Sequence, residues 1–341
     1  MALQTKKILK KMVSWAGLFF FVLAAYMLYR QLSKYSWTDI KDALLGIPPH
    51  NLWMACLASI GGYVALSSYD YLALRYIKRK LAPWKWIFAG FIGFSVSNNA
   101  GHAIVSGGTI RYRLYTRWRF HGGEIVRMVT FSGFTYLVAC FFLIIVGYVI
   151  TPSHAFGAGS VSKLTTEVVT LGSVIGLAVY FGLSLFYKKP LMVKGVVFEM
   201  PPFRMALAQV FIGAADILMA SLVLYFSLIP FVDISFATFI GVFIIAQVLG
   251  VFSQVPGGLG VFEGLFMYII PGDHNQAMLF GALLAYRIIY YLLPLFSSIG
   301  AYLVLHEKIY ASQLIGGALV IGGIALVSLK PQTARKEKSA K

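Results

Sequence analysis

Charge is scarce in this chain. Asp, Glu, Lys and Arg make up 12% of its 341 residues, about half the share of a soluble domain and too little to coat a globule of this length. Two soluble domains, which length alone would permit, are thereby excluded. Cysteine is scarcer still. Cys56 and Cys140 both lie inside apolar runs, where they read as small core residues, so a disulfide scaffold is excluded. The six histidines show no metal-ligand spacing, and no Walker loop, nucleophile elbow or HExxH pattern occurs. No metal, no cofactor and no catalytic residues are therefore expected, and the chain does not read as an enzyme.

Apolar residues fill the space that charge leaves, at 59% of the chain. Runs long enough to cross roughly 30 Å of hydrocarbon are Val13 to Tyr29, Leu52 to Tyr76, Met128 to Ile150, Leu164 to Tyr187, Met205 to Ile229, Ser235 to Val255, Ala277 to Leu305 and Ile309 to Leu329. The first follows Lys6, Lys7, Lys10 and Lys11 as a signal peptide would, but without a small-x-small cleavage site it reads as an uncleaved span. The expected fold is an all-α polytopic membrane protein of about eight transmembrane helices. Residues 1–330 would form one membrane domain, and 331–341 a basic tail.

Two further apolar pieces fit poorly. Trp86 to Ile110 is interrupted by Ser95, Ser97, Asn98, Asn99, Gly101, Gly107 and Gly108. Leu259 to Ile270 spans only about 18 Å as a helix, too short to cross. Both read as re-entrant or broken segments, which survive at membrane depth only inside protein or along a wet cavity. With both ends cytoplasmic and these pieces not crossing, 23 of the 29 Lys and Arg fall inside and five outside, as the positive-inside rule requires. The net charge of +17 is thereby accounted for by anionic lipid headgroups. No nucleic-acid module appears, and RYRLYTRWRF (Arg111 to Phe120) reads as an interfacial stretch.

The informative residues are ionisable groups at depth, each costing at least ~2.5–3.5 kcal/mol at a helix centre. Asp70, Asp216, Glu263 and Arg287 qualify. A purely structural account pairs Arg287 with Asp216 or Glu263 and locks helices together. Three carboxylates against one embedded arginine nevertheless leave an excess, to be protonated, hydrated or paired with Arg111 or Arg113. The interrupted stretches SNNAGHAIVSGGTIRYR and SQVPGGLGVFEG supply the second clue, with Asn98, Asn99, Gly107, Gly108, Gly257 and Gly258 as the polar and small residues of the breaks. Broken helices expose N–H groups suited to a phosphate or carboxylate, and paired breaks point to a transport site. GSVIG at Gly172 to Gly176 reads as helix packing only.

Asp70 in a second span, GHAIVSGGTIRYRLY, VPGGLGVFEG and AYRIIYYLLP together resemble the lysylphosphatidylglycerol synthase transmembrane family. That family includes the lipid-flippase half of the multiple peptide resistance factor and stand-alone inner-membrane homologues. The resemblance implies a translocation role for Asp70, Arg111 and Asp216. It also implies the transport half alone, because only Pro331 to Lys341 follow the last span where aminoacyl-transferase members carry a soluble domain.

The resulting expectation is a flippase of the bacterial inner membrane. It would move a phospholipid headgroup, aminoacylated or anionic, through a polar cavity at the two breaks, with membrane phospholipids as its partners. Arg111 and Arg113 would hold the phosphate. Alternatives are a drug/metabolite-type small-molecule transporter, which the last span LHEKIYASQLIGGALVIGGIAL resembles, and a non-transporting scaffold for a separately encoded lipid-modifying enzyme.

Overall fold

The computed structural model describes residues 37–100, 103–150, 163–193, 196–253, 255–270, 272 and 274–304. The expected first and last spans, His102 and the basic tail lie outside the described residues. Helix α1 (Trp37–Leu45) leads into α2 (Pro49–Tyr76), opened by Pro49, whose missing N–H costs nothing in a first turn. Then follow α3 (Pro83–Ala100), α4 (Ala103–Arg117), α5 (Gly122–Ile150), α6 (Lys163–Phe186), α7 (Phe203–Leu228) and α8 (Phe236–Phe252). A 3-10 turn at Pro256–Gly258 precedes the short α9 (Val261–Ile269). Helix α10 (Gln276–Tyr286) passes through a π-helical turn, Arg287–Leu292, into α11 (Leu293–Val304).

Among the described residues, five helices are long and apolar enough to cross a membrane. They are Pro49–Tyr76, Gly122–Ile150, Thr166–Phe186, Phe203–Leu228 and Gln276–Ile299. Each coincides with an expected span, and the chain is a multi-pass membrane protein. The run expected over Ser235 to Val255 forms a shorter apolar helix, Phe236–Val251. The hydrophobicity of these helices is not concentrated on one side, as befits surfaces facing either protein or lipid. One feature departs from an all-helical reading. The basic connection between α6 and α7 carries a small antiparallel hairpin, with Leu191 opposite Phe198 and Val193 opposite Val196. A water-side loop satisfies its backbone by pairing strands just as well as by helix.

The core is held by close backbone approach. Helices α2 and α7 pack against each other most extensively. A Cβ on Gly213 would lie 2.5 Å from Ala139 Cβ and 2.8 Å from the Thr135 carbonyl, which brings α7 hard against α5. Likewise a Cβ on Gly90 would meet Ser67 Cα at 2.7 Å, so α3 lies directly on α2. These contacts draw α2, α3 and α7 together around the embedded charges. Within GSVIG, Gly176 fits the packing role because a Cβ there would strike the Phe141 ring at 2.7 Å. Gly172 has nothing near it.

Candidate functional site

Five embedded ionisable side chains are almost wholly removed from the surface: Asp70 is 1% exposed, Arg111 and Glu263 3%, Asp216 4% and Arg287 7%. Each arginine takes one acid. Helix α2 presents Asp70, and α4 brings Arg111 to it. Arg111 Nε donates to both carboxylate oxygens at 2.9 and 3.2 Å, and the Tyr115 hydroxyl adds a third bond at 2.9 Å. Tyr115 follows Arg111 by four residues and therefore shares its helix face. The guanidinium lies 4.2 Å from the Phe94 ring centroid, a cation–π contact. Gly93 makes room for it, since a Cβ there would come within 3.1 Å of the guanidinium carbon.

The second pair is built on the Pro-Gly-Gly turn. Gly257, Gly258 and Gly260 all have positive φ, at 60°, 63° and 77°, backbone that favours glycine. This turn carries the chain into α9, where Glu263 stands in the first turn. Its Oε2 accepts the Gly260 N–H at 2.7 Å, and its Oε1 accepts Arg287 Nε at 2.5 Å. Arg287 Nη1 donates to the Gly257 carbonyl at 2.7 Å, and the guanidinium stacks 4.4 Å from the Tyr291 centroid. Arg287 thus pairs with Glu263, one of the two partners the sequence allowed.

Asp216 stands midway along α7 between these pairs, without a cation among the described residues. Its oxygens accept the Tyr69 hydroxyl at 3.0 Å and the Tyr290 hydroxyl at 3.1 Å. Tyr69 is the immediate neighbour of Asp70, and Tyr290 lies three residues beyond Arg287 in the π turn. The unpaired acid therefore joins the segments that carry both ion pairs. The π turn is part of this geometry, because a wider turn rotates residues that α-helical spacing would align otherwise. The tyrosines were not singled out from sequence. Only the adjacency of Tyr69 to Asp70, and the YY pair after Arg287, signalled them.

The two breaks meet, as paired interruptions would. A Cβ on Gly257 would lie 3.2 Å from the Asn98 carbonyl, and Asn99 Nδ2 donates to the Ser95 and Tyr291 carbonyls at 2.8 and 3.1 Å. Several expected site residues find other work. Gly107 and Gly108 are not an unwound stretch. Both lie inside α4, and a Cβ on Gly108 would make only ordinary contact with Val129. Intrahelical bonds continue through glycines, so they expose no N–H to a ligand. A Cβ on Gly258 would meet the Gly250 backbone at 3.4 Å. The N-terminus of α9 is also occupied, because Glu263 reaches back to the Gly260 N–H and neutralises that end itself. Arg113 is half-buried on a different side of α4, since residues two apart do not share a helix face.

The open space differs from the expected polar cavity. A groove of about 460 Å³ lies between α2, α3 and the segment from Ile289 to Ser297. Its hydroxyls are turned to backbone. Ser59 donates to the Ile289 carbonyl at 3.1 Å, Tyr63 to Tyr290 at 3.2 Å and Ser67 to Ile87 at 3.3 Å. What the groove presents is hydrocarbon. Polar capacity resides instead on the arginines, which do not line the groove. Among the described residues, Arg111 Nη2 and Arg287 Nη2 are both buried with no hydrogen-bond partner, a state that costs free energy unless something accepts from them.

Comparison with known proteins agrees with this architecture. The model of the lysylphosphatidylglycerol synthase TM region matches residues 14–298. The chain is 31% identical to the uncharacterized protein slr0712 of Synechocystis over 86% of its length and 92% of the relative's. Against the inner membrane protein YbhN of Escherichia coli it is 27% identical, over 89% and 94%. Similarity to the phosphatidylglycerol lysyltransferase of Staphylococcus xylosus is 28%, over 80% of this chain and 32% of that larger protein. The chain therefore belongs to the lysylphosphatidylglycerol synthase transmembrane-region family.

Proposed function

We propose that this protein is a lipid flippase of the bacterial inner membrane, a transporter rather than an enzyme. It carries an anionic or aminoacylated phospholipid headgroup past the embedded charges while the acyl chains remain in the bilayer. Both termini lie on the cytoplasmic side in this reading, as the Lys and Arg distribution requires. The observation that carries the proposal is the pair of buried, unpartnered guanidinium donors, Arg111 Nη2 and Arg287 Nη2. A purely structural ion pair would use its donors up, and an arginine fork with donors to spare is suited to phosphate.

Both cations bear on α3: Arg111 at Gly93, and Arg287 through the turn that touches Asn98. One helix thus separates two phosphate-competent positions, and its displacement would open a route between them. The apolar groove beside it gives the acyl chains a path that offers no competing hydrogen bond. Family membership, the inner-membrane location of YbhN and the lipid in the lysyltransferase's name support the substrate class.

The test is translocation of acyl-labelled phosphatidylglycerol in proteoliposomes, read by quenching of the outer leaflet. Wild type should exceed empty vesicles, and Arg111→Gln should slow it at least about ten-fold, the rate equivalent of roughly 1.4 kcal/mol. Equal rates for wild type, Arg111→Gln and empty vesicles would overturn the reading.

A further inference from the structure

Among the described residues three carboxylates are buried, and the structure divides them two against one. Asp70 and Glu263 each hold an arginine at 2.9 and 2.5 Å. Asp216, halfway along a 26-residue membrane helix, holds two phenol hydroxyls and no cation among the described residues. The titratable groups that face it from neighbouring helices are phenols and a thiol. They are Tyr63 and Tyr69 from α2, Tyr136 and Cys140 from α5, and Tyr290 from the π turn. From α6, Tyr180 goes to Gln209 instead, and from α10, Tyr286 stacks on Tyr290 at 5.8 Å. Both nearby arginines are committed elsewhere.

An ionised carboxylate without a counter-charge in hydrocarbon is among the costliest arrangements in a protein, and such a group takes up a cation or a proton. Among the described residues no group of three His, Cys, Asp or Glu side chains gathers to hold a metal ion, which leaves a proton as the counter-charge that Asp216 can take up. We propose that Asp216 is a proton-binding site, and that its loading and release couple lipid movement to the proton gradient.

The chemistry of the step follows from the donor inventory. As a carboxylate, Asp216 accepts from both phenols. Once a proton adds to one oxygen, that oxygen becomes a donor, and the bond it accepts from the phenol facing it weakens or reverses. One of the two braces, Tyr69 on the Asp70 helix or Tyr290 on the Arg287 segment, is thereby remade with each proton. A proton at Asp216 thus alters the support of the two ion pairs that carry the spare donors, without touching either.

The coupling half of this proposal rests on the flippase reading, whereas the proton site does not. The site is read directly by infrared spectroscopy of the full chain in phospholipid nanodiscs from about pH 5 to about pH 9, a window bracketing the ordinary histidine range. Expected is a protonated-carboxyl C=O band that diminishes as pH rises, is absent from Asp216→Asn, returns at a shifted frequency in Asp216→Glu and persists in Glu124→Gln. Should Asp216→Asn not fold, the shift in Asp216→Glu alone carries the assignment. Absence of any Asp216-dependent band, or a band that pH leaves unchanged, overturns the proposal. In proteoliposomes, wild-type translocation should then vary with pH over the same window while Asp216→Asn runs at one rate throughout. Wild-type translocation indifferent to pH overturns the coupling. A titrating band in a protein that moves no lipid at any pH upholds the site and defeats the flippase reading instead.

Discussion

The Asp70–Arg111 and Glu263–Arg287 pairs reach the same end by different construction. In the first, the acid and base come from separate helices, α2 and α4, and the third partner is another side chain, Tyr115. In the second, the main chain does much of the work. The Gly260 N–H binds the acid, the Gly257 carbonyl binds the base, and the turn between them exists only because three glycines take positive φ. The first pair therefore depends on how helices are packed, and the second on the local path of the backbone. A conformational change that slides helices would loosen Asp70–Arg111 and leave Glu263–Arg287 intact.

Substitutions test whether the two pairs differ in this way. The largest effect is expected at Glu263→Gln, which strands Arg287 as an uncompensated buried charge. Its unfolding free energy in bicelles should fall by about 3–5 kcal/mol. Tyr115→Phe removes one of the bonds to the Asp70 carboxylate and should cost about 1.5–3 kcal/mol in the same measurement, with the ion pair retained. Gly257→Ala forces a side chain into left-handed backbone 3.2 Å from the Asn98 carbonyl. It should cost about 1–3 kcal/mol and disturb the Glu263 pair while leaving the Asp70 pair untouched. The smallest effect belongs to Gly172→Ala on α6, where nothing lies within 4 Å. Its stability should stay within about 0.5 kcal/mol of wild type, which separates glycines that merely occupy a membrane helix from those that shape the site.

The spans were legible because hydrocarbon imposes one simple demand on a crossing helix, and five of them coincide with helices of the structure. The ionisable residues were legible for the same reason, since each is too costly at depth to be incidental. Their partners were less so. That Arg287 would take Glu263 and leave Asp216 to Tyr69 and Tyr290 depends on a π turn and on how α2 meets α7, neither of which is written in hydropathy. The glycines misled where residue type stood in for conformation. Gly107–Gly108 and Gly257–Gly258 look alike in sequence, yet the former continue a helix and the latter turn the chain by positive φ. The hairpin over Leu191–Phe198 escaped notice because three-residue strands carry almost no periodic signal.

In the flippase reading Arg111 and Arg287 keep donors free for a lipid phosphate. Solid-state NMR on nanodiscs, with nitrogen-labelled arginine and the lipid's own phosphorus, measures that contact without any assay of transport. A dipolar coupling between guanidinium nitrogen and lipid phosphorus, diminished in Arg111→Gln and again in Arg287→Gln, is the predicted result. Guanidinium signals with no phosphorus contact in wild type, or contacts unchanged in both variants, would contradict it.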